Sequence, residues 1–148
     1  MIIVDDGSED NTQTVIGQYR DSRIRYLKIN HSGIFGFVRN QGIKIARGEF
    51  IAFLDSDDLW RHDKLEIQLV LLNTHANTMF IFSNIDIIGE SSVRTRDYEK
   101  IFVGNVLVPV LEESRFVFYP SSLLFKIQVL EITGLLPGTR LRSWRPRA

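Results

Sequence analysis

The sequence predicts an α/β fold, and three observations predict it. Short apolar runs alternate with segments of helical periodicity, two of those runs end abruptly in clustered aspartates, and 44% of the 148 residues are hydrophobic, enough for one modest core. In layered α/β folds ligands gather at the carboxyl ends of the strands, where both "DDGS" (5–8) and "DSDD" (55–58) fall.

Taken in order, "IIV" (2–4) is a β-branched strand that runs into "DDGSEDNT", a strand-to-turn-to-helix junction with several residues suited to capping. Val15, Ile16 and Tyr19 give the following helix an apolar stripe. "RIRYLKI" (23–29) alternates as a half-buried strand does, and "NHSGIFG" breaks it with Gly33 and Gly36. "FVRNQGIKIAR" (37–47) is a second helix with Gly48 as its C-cap, and "EFIAFL" is the strand before the aspartates. Beyond them "HDKLEIQLVLLNTH" (62–75) places Leu65, Leu69 and Leu72 on one helical face, and "TMFIFSNIDII" (78–88) reads as one strand. "SSVRTRDYEK" (91–100) is polar surface, "IFVGNVLVPVLEESR" (101–115) a helix interrupted near Pro109, and "FVFYPSSLLF" (116–125) a strand. The end differs: after Pro137 come Arg140, Arg142, Arg145 and Arg147 and no acid. The whole reads as a single domain in three stretches, 1–75, 76–134 and an atypical tail at 135–148.

Composition narrows the function. Eighteen basic and eighteen acidic residues cancel, so no overall field draws the chain to nucleic acid, and any electrostatic function is local. With no cysteine, disulfides, thiolate metal sites and cysteine nucleophiles are excluded. His31, His62 and His75 are too scattered to suggest a metal cluster. The opening "MIIVDDGSED" is no signal peptide and no run approaches the ~20 apolar residues of a membrane span, so the expected location is cytoplasmic. Asn30-His31-Ser32 then has the form of a glycosylation acceptor by accident.

Like charges crowded at one point repel unless a cation or a set of donors answers them. In an extended segment Asp55 and Asp57 share a face, with Asp58 available as the chain turns. Such hard oxygen donors suit Mg²⁺ or Mn²⁺, which takes one or two carboxylates and completes its shell with phosphate and water. Three other readings compete. Asp57 or Asp58 could cap the next helix. Asp55, Asp57 and Glu66 occupy three EF-hand positions, yet Leu59 and Trp60 stand where an oxygen ligand and the turn glycine belong. A response-regulator receiver domain resembles the chain in "IIVDD" and in Asp55, but "SDDLW" replaces its usual Met-Pro and "GSEDN" interposes a turn.

Together, "IIVDDGSEDNT", "GFVRNQGIKIARGEFIAFLDSDDLW" and "PSSLLF" resemble family 2 glycosyltransferases in order and spacing, over residues 2–134. The resemblance implies a GT-A-type, Rossmann-like layered sheet with flanking helices, and inverting transfer of a sugar from a nucleoside diphosphate donor, a UDP-sugar first, to a glycan or lipid-linked acceptor in polysaccharide or glycolipid assembly. Peripheral association with the inner face of the membrane fits such an acceptor. By the same resemblance Asp5 and Asp6 accept from the nucleobase, and Arg39 and Asn40, before Gly42, lie near the nucleotide and pyrophosphate. Asp55 and Asp57 form the D-x-D signature, with Asp58 completing the set around a divalent cation, Mn²⁺ or Mg²⁺. Trp60 is expected in the core.

Two departures qualify that expectation. Family members begin roughly thirty residues before the acidic pair, so the first strand is expected to be missing. No carboxylate follows Glu131, and Glu112 and Glu113 lie upstream, so the general base is unassigned. The chain is therefore expected to be a fragment, a weak nucleotide binder with little or no transfer, or a non-catalytic nucleotide-binding remnant.

Overall fold

The computed structural model describes residues 1–75, 77–89, 93–96 and 119–136, the side chains of 93–96 excepted. The chain divides into two compact units, Met1–Gly48 with Leu130–Ala148, and Glu49–Val129. Both mix helices with strands, as the predicted α/β class requires.

In the first unit β1 (Ile2–Asp5) and β2 (Arg25–Lys28) pair in parallel, Ile2 opposite Arg25 and Asp5 opposite Lys28. The ladder runs on at both ends, with Arg25 N–H donating to the Met1 carbonyl and Ile29 N–H to that of Asp5, each at 2.9 Å. A parallel pair needs a crossover, and α1 (Thr12–Gly17) supplies it. This helix is six residues long, is rich in Thr and Gly, which are weak helix formers, and buries no residue. The expected apolar stripe is not realised: Val15 is exposed, and the helix stops before Tyr19.

α2 (Phe35–Ile45) packs against β1. A Cβ on Gly42 would stand 3.2 Å from Val4 Cγ2, so the missing side chain is what lets helix and strand approach so closely. Gly36 lies inside this helix rather than ending the stretch before it, and the C-cap is Ala46, two residues short of Gly48. The Arg25 guanidinium donates to the Ile45 carbonyl at 2.7 Å, answering an orphan acceptor at the helix end where a cation is favoured.

In the second unit the central strand is β7 (Leu123–Lys126), an apolar run paired antiparallel to β3 (Phe50–Ala52) on one side and β4 (Phe80–Phe82) on the other. Ile51 faces Phe125 and Ile81 faces Leu124. Leu124, Phe125 and Ile51 are buried, and the Phe53 ring lies 5.9 Å from that of Phe125. α3 (Lys64–Thr74) packs against β4 and buries Leu72 completely, at 0% exposure. Leu72 lies on the predicted face, but the other buried residue of this helix is Gln68 rather than a leucine.

Three sequence readings change here. "TMFIFSNIDII" is two strands in different sheets, β4 and β5 (Ile85–Ile88), the latter paired antiparallel with β6 (Val93–Arg96) inside the stretch read as polar surface. In the described part of "FVFYPSSLLF", residues 119–125, the strand begins at Leu123, because Pro120–Ser122 form a 3₁₀ turn opened by a proline that cannot donate to a ladder. The helix read at 101–115, with Glu112 and Glu113, and the arginines after Pro137 lie outside the described residues. α4 (Val129–Thr133) ends the described elements, and no helix among the described residues is long and apolar enough to cross a membrane.

Replacing Leu72 with Ala removes side-chain volume from a site with no solvent to refill it, and is expected to cost about 2–5 kcal/mol in urea unfolding. A loss below about 1 kcal/mol would place this side chain outside the core.

Candidate functional site

β1 delivers two consecutive carboxylates, and each closes a different contact. Asp5, the last residue of the strand, is 5% exposed. One of its oxygens accepts the Ser8 N–H at 2.7 Å, and the other accepts the Tyr26 hydroxyl in a short hydrogen bond. The register explains the second contact: Tyr26 pairs with Ile3 and Lys28 with Asp5, so both β2 side chains share the face of Asp5. Burial pushes the Asp5 carboxyl up, but the bonds from Ser8 and Tyr26 and the Lys28 charge outweigh it and hold it below its ordinary 3.8. In turn the Asp5 bond, then burial, push the Tyr26 hydroxyl up to about 12.

Asp6 points at the loop after β2. Its oxygens accept the Ser32 and Gly33 N–H groups, each at 2.8 Å, and His31 Nδ1 lies 3.3 Å from the carboxylate and 2.9 Å from the Asp6 carbonyl. Burial again works upward, and these backbone donors with His31 overcome it, leaving the carboxyl below its ordinary value. Gly7 makes the approach possible. Its φ is +79°, and a Cβ there would fall 2.8 Å from the His31 nitrogen. Both carboxylates thus stay ionised at neutral pH, at the carboxyl ends of two parallel strands.

Arg39 and Asn40 separate in role. The Arg39 guanidinium lies 5.6 Å from the Phe35 ring centre, one helical turn away. Asn40 is 7% exposed and spends both ends of its amide on one residue: Nδ2 donates to the Leu136 carbonyl at 2.8 Å, and Oδ1 accepts the Leu136 N–H at 3.0 Å. Gly42, the third member of that motif, sits against β1.

In the second unit the acidic stretch is a turn, not an extended segment. Asp58 N–H donates to the Asp55 carbonyl at 3.1 Å, so the alternation expected to bring Asp55 and Asp57 onto one face does not apply. Asp57 and Asp58 are exposed, Asp55 is half-buried, and the Asp57 and Asp58 carboxylates accept no hydrogen bond among the described residues. Neither caps α3, whose N-cap position is Asp63. Ser121 grips both ends of the loop: its hydroxyl accepts the Asp55 N–H at 3.0 Å, and its carbonyl accepts the Trp60 indole N–H at 2.7 Å. Trp60 is therefore half-buried beside the loop rather than in the core.

Among the described residues no three His, Asp or Glu side chains meet as a metal cage. An Mg²⁺ or Mn²⁺ ion bound through one or two carboxylates draws its remaining oxygens from a diphosphate and water. The exposed, unengaged Asp57 and Asp58 fit that chemistry, with Asp55 beside them.

Sequence reading missed Tyr26, Ser32, Gly33 and Ser121 as members of these clusters. Only the parallel register would have signalled Tyr26. Ser121 was visible as part of "PSSLLF", but its two bonds span 66 and 61 residues of sequence.

The family described as "Glycosyl transferase family 2" matches residues 1–134. The chain is 39% identical over 93 residues to the UDP-Glc:alpha-D-GlcNAc-diphosphoundecaprenol beta-1,3-glucosyltransferase WfgD of Escherichia coli, covering 63% of this chain and 36% of that protein. It is 45% identical over 71 residues to the putative teichuronic acid biosynthesis glycosyltransferase TuaG of Bacillus subtilis (strain 168), covering 47% and 28%. Among solved structures S. aureus TarS 1-349 superposes with a TM-score of 0.69 at 23% identity, over 91% of this chain and 40% of that one, a likeness of fold. The chain thus spans between 28% and 40% of the length of these relatives.

Removing the Tyr26 hydroxyl tests the first cluster. A carboxyl held low in the folded state adds stability above its ordinary value of 3.8, and that stability is lost as pH falls through the folded value. Tyr26→Phe takes away one of the bonds holding Asp5 low and so narrows the gap between its ordinary and folded values; the acid-side loss is expected to be smaller and to level off at higher pH than in the unaltered chain, as read by urea stability between pH 2 and 6. Coincident curves would show that the hydroxyl does not hold the carboxylate ionised.

Proposed function

The chain belongs to glycosyl transferase family 2, and from that premise we propose that it takes part in transferring a sugar from a nucleoside diphosphate donor to an acceptor hydroxyl, with inversion. The observation that carries this reading is the acidic turn after β3, where Asp57 and Asp58 stand exposed and unengaged while Ser121 fixes the loop beneath them. Relatives named for a UDP-glucose donor and for teichuronic acid biosynthesis support a UDP-sugar and a glycan or lipid-linked acceptor in polysaccharide or glycolipid assembly. A lipid-linked acceptor would bring the protein to the cytoplasmic face of a membrane as a peripheral partner.

Each residue then has a task. Asp5 and Asp6, ionised and held in place, offer their remaining lone pairs to N–H donors of the nucleobase. Arg39 supplies positive charge toward the pyrophosphate, whereas Asn40 acts through the backbone it holds. Asp57, with Asp55 and Asp58, would hold Mn²⁺ or Mg²⁺, and such an ion supplies charge neutralisation for the departing diphosphate. Inversion requires the acceptor hydroxyl to attack the anomeric carbon opposite the leaving group and surrender its proton to a base. No residue described here is assigned that role.

Calorimetry of UDP binding with and without Mn²⁺ tests the reading. Binding is expected to need the metal, and Asp57→Ala is expected to abolish it while leaving the circular dichroism spectrum unchanged. Equal binding by the variant would refute the metal assignment. Phosphate uptake from a small phosphodonor at Asp55, with no nucleotide present, would favour a receiver domain instead.

A further inference from the structure

Beneath the acidic loop lies a cation that the family reading does not use. Lys64, the first residue of α3, holds its ammonium 4.4 Å from the centre of the Trp60 ring and donates to Gln68 Oε1 at 2.8 Å. Gln68 is 3% exposed and passes the contact on, its Nε2 donating to the Ser122 carbonyl at 2.9 Å. Trp60 donates to the neighbouring carbonyl, that of Ser121, whose hydroxyl accepts from Asp55. An unbroken series of contacts therefore runs from Lys64 to the backbone of the acidic turn, and two successive carbonyls of one 3₁₀ turn serve as its anchors.

The choice of a lysine here is informative. An apolar side chain could cover the indole without losing hydration, whereas burial pushes this ammonium down to about 8. Among the described residues no carboxylate pairs with it: the adjacent Asp63 is engaged by Arg61 at 2.8 Å. Among the described residues the polar and aromatic groups in contact with it are the Trp60 ring from the loop and the Gln68 amide from its own helix, and burial shifts its proton equilibrium downward. What a charge adds over a methyl group is a grip on the ring face and an oriented bond to Gln68.

We propose that Lys64 is a positioning residue for the acidic loop: by clamping the Trp60 indole against Ser121 it fixes the turn that presents Asp57 and Asp58, and so sets how tightly that loop takes a divalent cation together with a nucleoside diphosphate. This rests on the functional reading above for the ligand, but the clamp itself does not need one.

The test uses two readouts. The chain has two tryptophans, so in a Trp144→Phe background fluorescence reports Trp60 alone. Its emission is expected to shift with a midpoint near pH 8, where the ammonium loses its charge, and Lys64→Met is expected to erase that midpoint. At pH 7, calorimetry with Mn²⁺ and UDP is expected to show binding about five- to tenfold weaker in Lys64→Met and within about twofold of the unaltered chain in Lys64→Arg, whose guanidinium keeps both contacts. Absence of the fluorescence midpoint overturns the clamp whether or not nucleotide binds. Unchanged affinity in Lys64→Met, or equal weakening in Lys64→Arg, overturns the positioning role. If Asp57→Ala binds normally, the functional reading fails instead, while the midpoint still decides the clamp.

Discussion

A strand that ends in charged residues crowds like charges that repel unless donors or a cation answer them, and the two acidic stretches of this chain treat that demand differently. At the end of β1 the answers are N–H and O–H donors. Asp5 draws them from Ser8 and Tyr26, Asp6 from Ser32 and Gly33, and the loops that carry these donors take their shape from the two carboxylates. At the end of β3 the solution is different. There the backbone is tethered through Ser121, and Asp57 and Asp58 are left unanswered by any donor among the described residues. One acidic group orders the loops around it, and in the other Asp57 and Asp58 accept no hydrogen bond among the described residues, a contrast that composition alone cannot reveal.

The pattern also bears on how such a site stays ready for a ligand. Groups that must meet a charged ligand work best when they need no rearrangement at the moment of binding. Here the neighbours of each functional side chain are themselves fixed. Gly7 brings the two loops of the first unit within touching distance, Gly42 lets α2 lie against β1, and Gln68 is buried with both ends of its amide engaged. The cost of ordering these loops is met by bonds inside each unit, with no ligand needed to hold them.

What the sequence made legible was whatever depends on neighbours along the chain. The runs at 2–4, 23–29 and 49–54 became β1, β2 and β3, and the periodicity of 62–75 became α3, because side-chain alternation and helical spacing are local signals. The family motifs were also legible, since they are strings. The rest depended on partners far away in sequence. The turn at Asp55–Asp58 overrode an extended reading because Ser121 holds its entry, and Trp60 left the core because a carbonyl sixty-one residues distant accepts its N–H. The split of 78–88 into two strands came from separate pairing partners, β7 for one and β6 for the other. Asn40, read as a ligand contact, is held by the backbone of Leu136, ninety-six residues on.

The double grip of Ser121 has an evolutionary reading. One half of it uses a hydroxyl, which substitution can remove, and the other uses a carbonyl, which every amino acid possesses. A lineage that drifts to alanine at this position would surrender the hold on Asp55 yet keep the hold on Trp60. Inheritance of the loop's shape is thus written partly in side chains and partly in the path of the main chain, and only the first part is exposed to point mutation.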